Sequence, residues 1–200
     1  MSPSAEEAGI VSAATPEAAE AGAEILREGG NAIDAAVAVS LALGVTEPAG
    51  SGIGGQSTFI VHRPGADPFV INGTSFSPAA TPTNAGLADL VGHRATTVPS
   101  NLKVLSFAWQ QYGSGSLSWH RLVEPAIRYA EEGYVMGRFR RRALVRWVHA
   151  IRHNGSASKL LLAADGAVPE EGSVVRSATL ARTLQRVAEQ GAEDFYSGQI

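Results

Sequence analysis

The chain has 200 residues, of which 44% are hydrophobic and 18% are charged, so it has enough apolar side chains to build a core and is not a disordered segment. Its net charge of −3 argues against nucleic acid or an acidic membrane surface as a main partner. The absence of cysteine excludes disulfides, Cys-ligated zinc and a thiol nucleophile.

No targeting or membrane segment is evident in the sequence. The apolar stretch 35–43 is far short of the roughly 20 residues that a helix needs to cross a bilayer. The first residues carry two glutamates and lack the basic start of a secretory signal. We therefore expect a cytoplasmic protein that folds as a single domain over residues 1–200 and does not bind a membrane.

The first 50 residues predict two helices. Thr15 can cap the first of them, and the glycine pair at 29–30 ends it. Asn31 can cap a second helix, which is predicted over residues 32–43 and ended by Gly44. Because this second helix is apolar on nearly all sides, we expect it to lie between layers in the core.

The remainder combines a hairpin with further helices. Residues 57–62 and 69–72 are rich in β-branched and aromatic residues, and the turn-forming sequence RPGADP joins them, which predicts a β-hairpin. The segment that follows, up to Pro99, is rich in turn residues. The overall pattern is α+β. Helices are then predicted at 101–112, from Ser118 to Val123, from Pro125 to Gly133, at 138–153 and from Ser177 to Gly191.

Gly50, Gly52 and Gly55 match the string G-x-G-x-x-G, which raises the possibility of a dinucleotide site. That site requires a strand, then the loop, then a helix, so that the pyrophosphate lies at a helix N-terminus. Here a predicted helix precedes the loop and a strand follows it. The glycines are better interpreted as a turn that lets the backbone approach a ligand or another strand, and we expect no cofactor.

Two further patterns have both a functional interpretation and an ordinary structural one. His149 and His153 lie four residues apart, as two metal ligands on a helix do. Ala150 stands where a zinc hydrolase has glutamate, so a solvated helix face is favoured and no metal is expected.

The second pattern is a dense run of basic residues. A nucleic-acid surface needs more than one such helix, so a surface helix, or one that pairs with acidic residues of a partner segment, is favoured. The run contains Arg138, Arg140, Arg141, Arg142, Arg146 and Arg152.

Several segments together resemble the large subunit of the γ-glutamyltransferase (γ-glutamyltranspeptidase) family. Residues 21–38 read AGAEILREGGNAIDAAVA, and Glu-Pro at 47–48 and SGIGG at 51–55 follow. The sequence PAI with AEEG in 125–133 and FYSG at 195–198 continue the likeness, which therefore spans nearly the whole chain. The chain is identified as the N-terminal part of such a large subunit.

The resemblance implies an N-terminal-nucleophile (Ntn) hydrolase with a four-layer αββα fold, of which this chain supplies a helix-rich portion. Members are made as proenzymes that cut themselves to expose a threonine at the start of a small subunit. That threonine attacks an amide carbonyl, its own α-amine acts as the base, and the acyl-enzyme is released to water or to an amine. The implied partners are the small subunit and a small-molecule substrate, and no catalytic residue lies on this chain.

The sequence departs from the family where the predicted hairpin ends. Thr74 and Ser75 stand at the places where glutathione-type members have an Arg-Glu pair, whose arginine clamps the substrate α-carboxylate. Loss of that charge-assisted pair costs about 1.5–3 kcal/mol of binding, roughly ten- to a hundredfold. We therefore expect an amide or activated acyl donor other than a standard γ-glutamyl compound, bound by Thr74, Ser75, Gly54 and Gly55. An ordinary loop cap at 74–75 and tight layer packing at 52–55 are the alternatives.

Two other functions remain open for a chain of this family. One is that of the family members that cleave a carbon–carbon bond in alkylproline natural-product biosynthesis, which would place the protein in antibiotic biosynthesis. The other is a non-catalytic scaffold that kept the fold. The sequence does not identify the substrate, the acceptor or the number of subunit copies.

Overall fold

The described part of the chain is mostly helical, with two short antiparallel sheets. The structure is a computed structural model that describes residues 9–84, 86, 89 and 92–200. Its helices are α1 (Pro16–Arg27), α2 (Ala32–Thr46), α3 (Asn101–Tyr112), α4 (Trp119–Glu131), α5 (Arg138–Arg152), α6 (Gly155–Leu161), α7 (Ala178–Gln190) and α8 (Asp194–Ser197), with a 3₁₀ turn at His93–Ala95. Its strands are β1 (Ser57–Val61), β2 (Phe69–Gly73), β3 (Tyr134–Val135) and β4 (Val174–Val175).

Helix α2 is the centre of the main core, as its uniformly apolar sequence predicts. It packs against α1 on one side and α4 on another, and α4 in turn packs against α7. Val37, Leu41, Leu122 and Leu184, from three of these helices, are fully buried. Burial of such side chains contributes about 1.5–3 kcal/mol each, so this packing supplies much of the stabilisation.

The N-terminal ends of the first two helices are capped as the sequence predicts. The Thr15 hydroxyl accepts from the backbone N–H of Ala18 at 3.3 Å. At the start of α2 the Asn31 side chain accepts from backbone N–H groups, and the Asp34 carboxylate accepts from Asn31 N at 2.9 Å, which forms a capping box. These caps satisfy backbone donors that have no partner within the helix.

The end of α2 differs from the prediction, because the helix continues through Gly44 to Thr46. Gly44 does not stop the helix but lies against the backbone of Gly52, where an added Cβ would be 3.6 Å from the Gly52 Cα. The extra turn is stabilised at Thr46, whose buried hydroxyl lies 2.9 Å from the Thr15 hydroxyl. Tertiary contacts therefore place the helix end beyond the glycine.

The prediction for α4 is wrong, because the sequence predicts two helices divided before Pro125 and the structure has one continuous helix. Pro125 removes one backbone hydrogen bond inside the helix, at a cost of about 3 kcal/mol. Leu122, Val123 and Ala126, which flank it, are fully buried. Their packing offsets the missing bond and keeps the helix continuous.

The predicted hairpin is present, with Phe59 opposite Ile71 in an antiparallel register. β2 extends one residue further than predicted, to Gly73, and β1 ends one residue earlier, at Val61. The structure also contains elements that the sequence analysis did not predict: the two-residue pair β3–β4 and helices α6 and α8. No helix among the described residues is both long and apolar enough to span a bilayer.

Candidate functional site

The glycine-rich loop between α2 and β1 borders a cavity near the predicted site residues. The cavity has a volume of about 550 Å³, and we call it the glycine-loop cavity. Its wall includes Gly54 and Gly55, two of the residues that the sequence analysis expects to bind the donor, and all of its lining residues are uncharged. The other lining residues are Ser40, Pro48, Ala49, Gly50, Ser51, Gly52, Gln56, Ser57 and Asn101.

The start of α3 holds the loop in place. The backbone N–H groups of Ser100 and Asn101 donate to the Gly55 carbonyl at 2.9 and 3.0 Å. The Asn101 side-chain amide donates to the Gly52 carbonyl at 2.9 Å. Three bonds from two adjacent residues thus fix both ends of the Gly52–Gly55 turn against the helix N-terminus.

Asn101 is the residue that the sequence analysis missed at this site. It is only 5% exposed, and its Oδ1 atom is buried without a hydrogen-bond partner among the described residues. Because Nδ2 is needed to donate to Gly52, the orientation of the amide is defined by its contacts. A polar residue just after Pro99 at a predicted helix start was the available signal, since such positions often bond to nearby backbone groups.

Thr74 and Ser75 lie at the exit of β2 and do not line the glycine-loop cavity. The Thr74 hydroxyl and backbone N–H both donate to the Asn72 side chain, the latter at 2.9 Å. The Ser75 hydroxyl donates to the Val98 carbonyl at 2.6 Å. Thr74 thus bonds within its own turn, whereas Ser75 bonds to a carbonyl 23 residues away, and Thr74 is exposed to solvent.

Gln56 connects the two halves of the predicted site. Its side-chain oxygen accepts from the Ser75 backbone N–H at 2.8 Å, while the residue itself lines the glycine-loop cavity. Gly73 brings the strand exit close to α3, because an added Cβ would clash with Val104 and with the Ser57 carbonyl. The four predicted residues are therefore linked through Gln56 but do not share one pocket.

None of the loop glycines adopts a positive φ. The loop therefore makes no use of the positive φ that glycine permits. What the loop uses is the absence of side chains. Gly54 has only the ring of Phe195 near its Cβ position, at 3.9 Å, so the wall of the cavity there is bare backbone.

The C-terminal sequence FYSG folds back toward this region. The Tyr196 hydroxyl accepts from the backbone N–H of Lys103, in the first turn of α3, at 3.0 Å. Burial raises the pKa of Tyr196 above its ordinary value, so the phenol remains protonated at neutral pH. Two sequence motifs separated by about 140 residues thus meet at one helix N-terminus.

The structure also shows where the candidate dinucleotide motif and the candidate metal-binding histidines lie. The G-x-G-x-x-G string lies between a helix and a strand, in the order opposite to that of a dinucleotide loop. His149 and His153 lie on an exposed part of α5 and at its end, and the His153 ring bonds to the His149 carbonyl. Among the described residues no group of three or more His, Cys, Asp or Glu side chains could hold a metal ion.

An α+β chain whose helices carry a hairpin and a bare glycine loop matches solved structures of Ntn hydrolases. The structure of Helicobacter pylori γ-glutamyltranspeptidase superposes with a TM-score of 0.90 at 28% identity and covers 96% of this chain and 57% of that one. The cephalosporin acylase from Bacillus halodurans superposes with a TM-score of 0.81 at 33% identity and covers 92% of this chain and 36% of that one. These neighbours confirm the α+β class and the Ntn-hydrolase fold that the resemblance implied.

Sequence comparison leads to the same family. The profile of the family described as Gamma-glutamyltranspeptidase matches residues 18–200. The glutathione hydrolase proenzyme of Escherichia coli is 30% identical over 201 residues, which cover 96% of this chain and 34% of that protein. The chain belongs to the γ-glutamyltranspeptidase family, and it spans about a third of the length of the curated relatives it matches.

Proposed function

We propose that this chain is the N-terminal portion of the large subunit of an autoprocessed Ntn hydrolase or acyltransferase. In this proposal the nucleophilic threonine lies on polypeptide outside residues 1–200, at the start of a small subunit. Family membership over residues 18–200 supports it. The uncharged lining of the glycine-loop cavity is in keeping with it, because this wall brings backbone, hydroxyl and amide groups but no carboxylate, histidine or lysine to act as a general acid or base.

We further propose that the donor is an amide or activated acyl compound other than a standard γ-glutamyl one. The observation that carries this proposal is the chemistry at the β2 exit. Thr74 and Ser75 both use their hydroxyl hydrogens on protein acceptors, and neither is cationic. A substrate α-carboxylate would therefore find no charge-assisted fork at these positions. The likeness to a protein described as a cephalosporin acylase is in keeping with a different donor.

The first experiment tests the class of enzyme. The full-length protein that contains this chain is purified and run on a denaturing gel, and the amino terminus of the smaller band is sequenced. We expect two bands, with threonine first on the smaller one. A single uncut band contradicts autoprocessing and favours the non-catalytic scaffold.

The second experiment tests the donor. Because Thr74 is exposed, Thr74→Arg adds a guanidinium without disturbing the core. We expect kcat/KM for γ-glutamyl-p-nitroanilide to rise about ten- to a hundredfold, the value of one charge-assisted pair. Thr74→Gln, which adds a planar amide without charge, is the matched control and should gain much less. No gain with Thr74→Arg would show that position 74 does not face the donor carboxylate.

A further inference from the structure

Helix α5 presents two different faces. Its inner face carries Leu144 and Ile151 into a small core. Its outer face carries three exposed arginines at four-residue spacing, which places them about 6 Å apart along the helix axis. Between them lie Ala143 and Phe139, the latter 69% exposed. We call this surface the arginine face, formed by Arg138, Phe139, Arg142, Ala143 and Arg146.

The arginines of the inner and outer faces are paired differently. Arg140 is buried and paired with Glu17, and Arg141 lies 3.5 Å from Glu170. Among the residues that the structure describes, no carboxylate lies within ion-pair distance of the three arginines of the arginine face. The helix itself contains no acidic residue. The protein as a whole has a net charge of −3, so this row is a local concentration of charge.

The arginine face borders an open hollow on the surface. Its five residues line a hollow of about 870 Å³. Phe139 and Ala143 also border a second, smaller hollow of about 130 Å³, which reaches Pro48 in the glycine-rich loop. The smaller hollow is mostly apolar, although Glu47 and Arg140 also border it. An exposed phenylalanine between this hollow and a row of cations offers both a hydrophobic anchor and a means of orienting an anionic partner.

The length of the relatives indicates where such a partner lies. The chain covers 34% of the E. coli relative, so about two thirds of a relative's polypeptide has to pack around a portion like this one. Carboxylates four residues apart on a helix, or on alternate residues of a strand, repeat at about 6–7 Å and match the arginine spacing. One helix row is too small a surface for a nucleic acid backbone.

We propose that the arginine face binds an acidic segment of the same enzyme, from the polypeptide outside residues 1–200. Its carboxylates pair with Arg138, Arg142 and Arg146, and an apolar side chain covers Phe139. The proposal rests on the proposed function, since it requires the rest of an enzyme of this family. The arginine face is then an internal interface of the assembled enzyme rather than free surface.

A photo-crosslink tests the occupant. The photoreactive amino acid p-benzoylphenylalanine replaces Phe139 in the full-length protein, which is irradiated, digested and analysed by mass spectrometry. We expect a crosslink, within the same molecule, to a peptide from outside residues 1–200 that contains aspartate or glutamate. A crosslink to a second copy, a crosslink confined to residues 1–200, or no crosslink would overturn the proposal.

A charge series tests the chemistry. The triple variant Arg138→Gln, Arg142→Gln, Arg146→Gln should lower Tm by about 2–6 °C in low salt, and molar salt should at least halve the difference because it screens ion pairs. The matched control removes three exposed cations from other parts of the chain, none of which pairs with a described carboxylate, by Arg63→Gln, Lys159→Gln and Arg182→Gln. Equal losses in the two variants would overturn the proposal.

The two proposals fail separately. An uncut band on the denaturing gel contradicts the proposed function, while the crosslink at position 139 still reports what covers the arginine face. Conversely, a cleaved and active enzyme that gives no crosslink at position 139 contradicts only the docking proposal.

Discussion

Replacement of Asn101 by aspartate tests how α3 holds the glycine loop. In the native protein the Asn101 amide donates to the Gly52 carbonyl at 2.9 Å from a side chain that is 5% exposed. Asn101→Asp keeps the shape and removes the donor. An ionised carboxylate would then face a carbonyl oxygen in a buried place, where a charge has no partner to compensate it.

Three effects set the expected loss in the free energy of unfolding of Asn101→Asp. The lost hydrogen bond costs about 1 kcal/mol. A buried unpaired charge costs about 3–5 kcal/mol. Because position 101 lies in the first turn of α3, the helix dipole stabilises the negative charge by about 0.5–1 kcal/mol and offsets part of this loss. We expect the free energy of unfolding to fall by about 3 kcal/mol or more at neutral pH, measured by urea denaturation of the full-length protein.

The pH dependence of Asn101→Asp provides the sharper check. Burial raises the pKa of the new carboxyl in the folded state above its unfolded value, and the protonated carboxyl can donate to Gly52. The destabilisation should therefore be full above the raised pKa and shrink as the pH falls toward the ordinary aspartate value. Asn101→Ala, which loses the same bond without a charge, should cost about 1 kcal/mol at every pH. An aspartate variant as stable as the native protein, or a gap that widens in acid, would refute the reasoning.

Three further substitutions have expected outcomes that denaturant unfolding can measure. Glu24→Gln should cost about 1 kcal/mol at neutral pH, because bonds from Arg128 first and then a second arginine hold the pKa of Glu24 below its ordinary value, and this contribution should vanish as the pH falls through that lowered pKa. Gly113→Ala should cost about 1–3 kcal/mol, because its Cβ would lie 2.7 Å from the Asp34 carboxylate and 2.5 Å from a backbone carbonyl; a neutral effect would contradict that contact. Thr46→Val should cost about 1–2 kcal/mol through the buried hydroxyl pair that joins α1 to α2, and an unchanged midpoint would show that this pair adds nothing.

The core helices and the hairpin could be predicted because their signals are local. Thr15 and Asn31 cap helices through bonds to residues two or three positions away. The sequence of α2 is apolar on nearly all sides, which predicts that the helix lies in the core wherever it is placed. Such features depend on neighbours in sequence, and the structure confirms them.

The errors occur where distant residues decide the outcome. Gly44 does not end α2, because Thr46 finds a hydroxyl partner in Thr15, 31 residues earlier. Pro125 does not divide α4, because its neighbours are buried against α2 and α7. The two-residue strands β3 and β4 pair across about 40 residues, and neither carries a signal of its own.

For the candidate site, too, some features could be identified from the sequence and others only from the structure. The sequence identified the family to which the chain belongs. Two of the site residues that it proposed, Gly54 and Gly55, line the glycine-loop cavity, and their role in binding stays a prediction. It did not find Asn101, whose importance comes from facing Gly52, 49 residues away. It also grouped Thr74 and Ser75 with the glycines as one set, whereas the structure connects them only through Gln56. Their role in binding a donor stays a prediction, as do the carbon–carbon cleaving and scaffold alternatives.

By itself, then, the sequence determined the caps, the apolar periodicity, the hairpin and the family, because each is encoded in residues close together along the chain. The tertiary structure alone decided where α2 ends and how α3 is hydrogen-bonded to the glycine loop. It also decided which arginines of α5 are paired and which face outward. These features depend on side chains and carbonyls brought together from distant parts of the chain. Hydrogen bonds and ion pairs act over a few ångströms of space, and only folding sets which groups fall within that range.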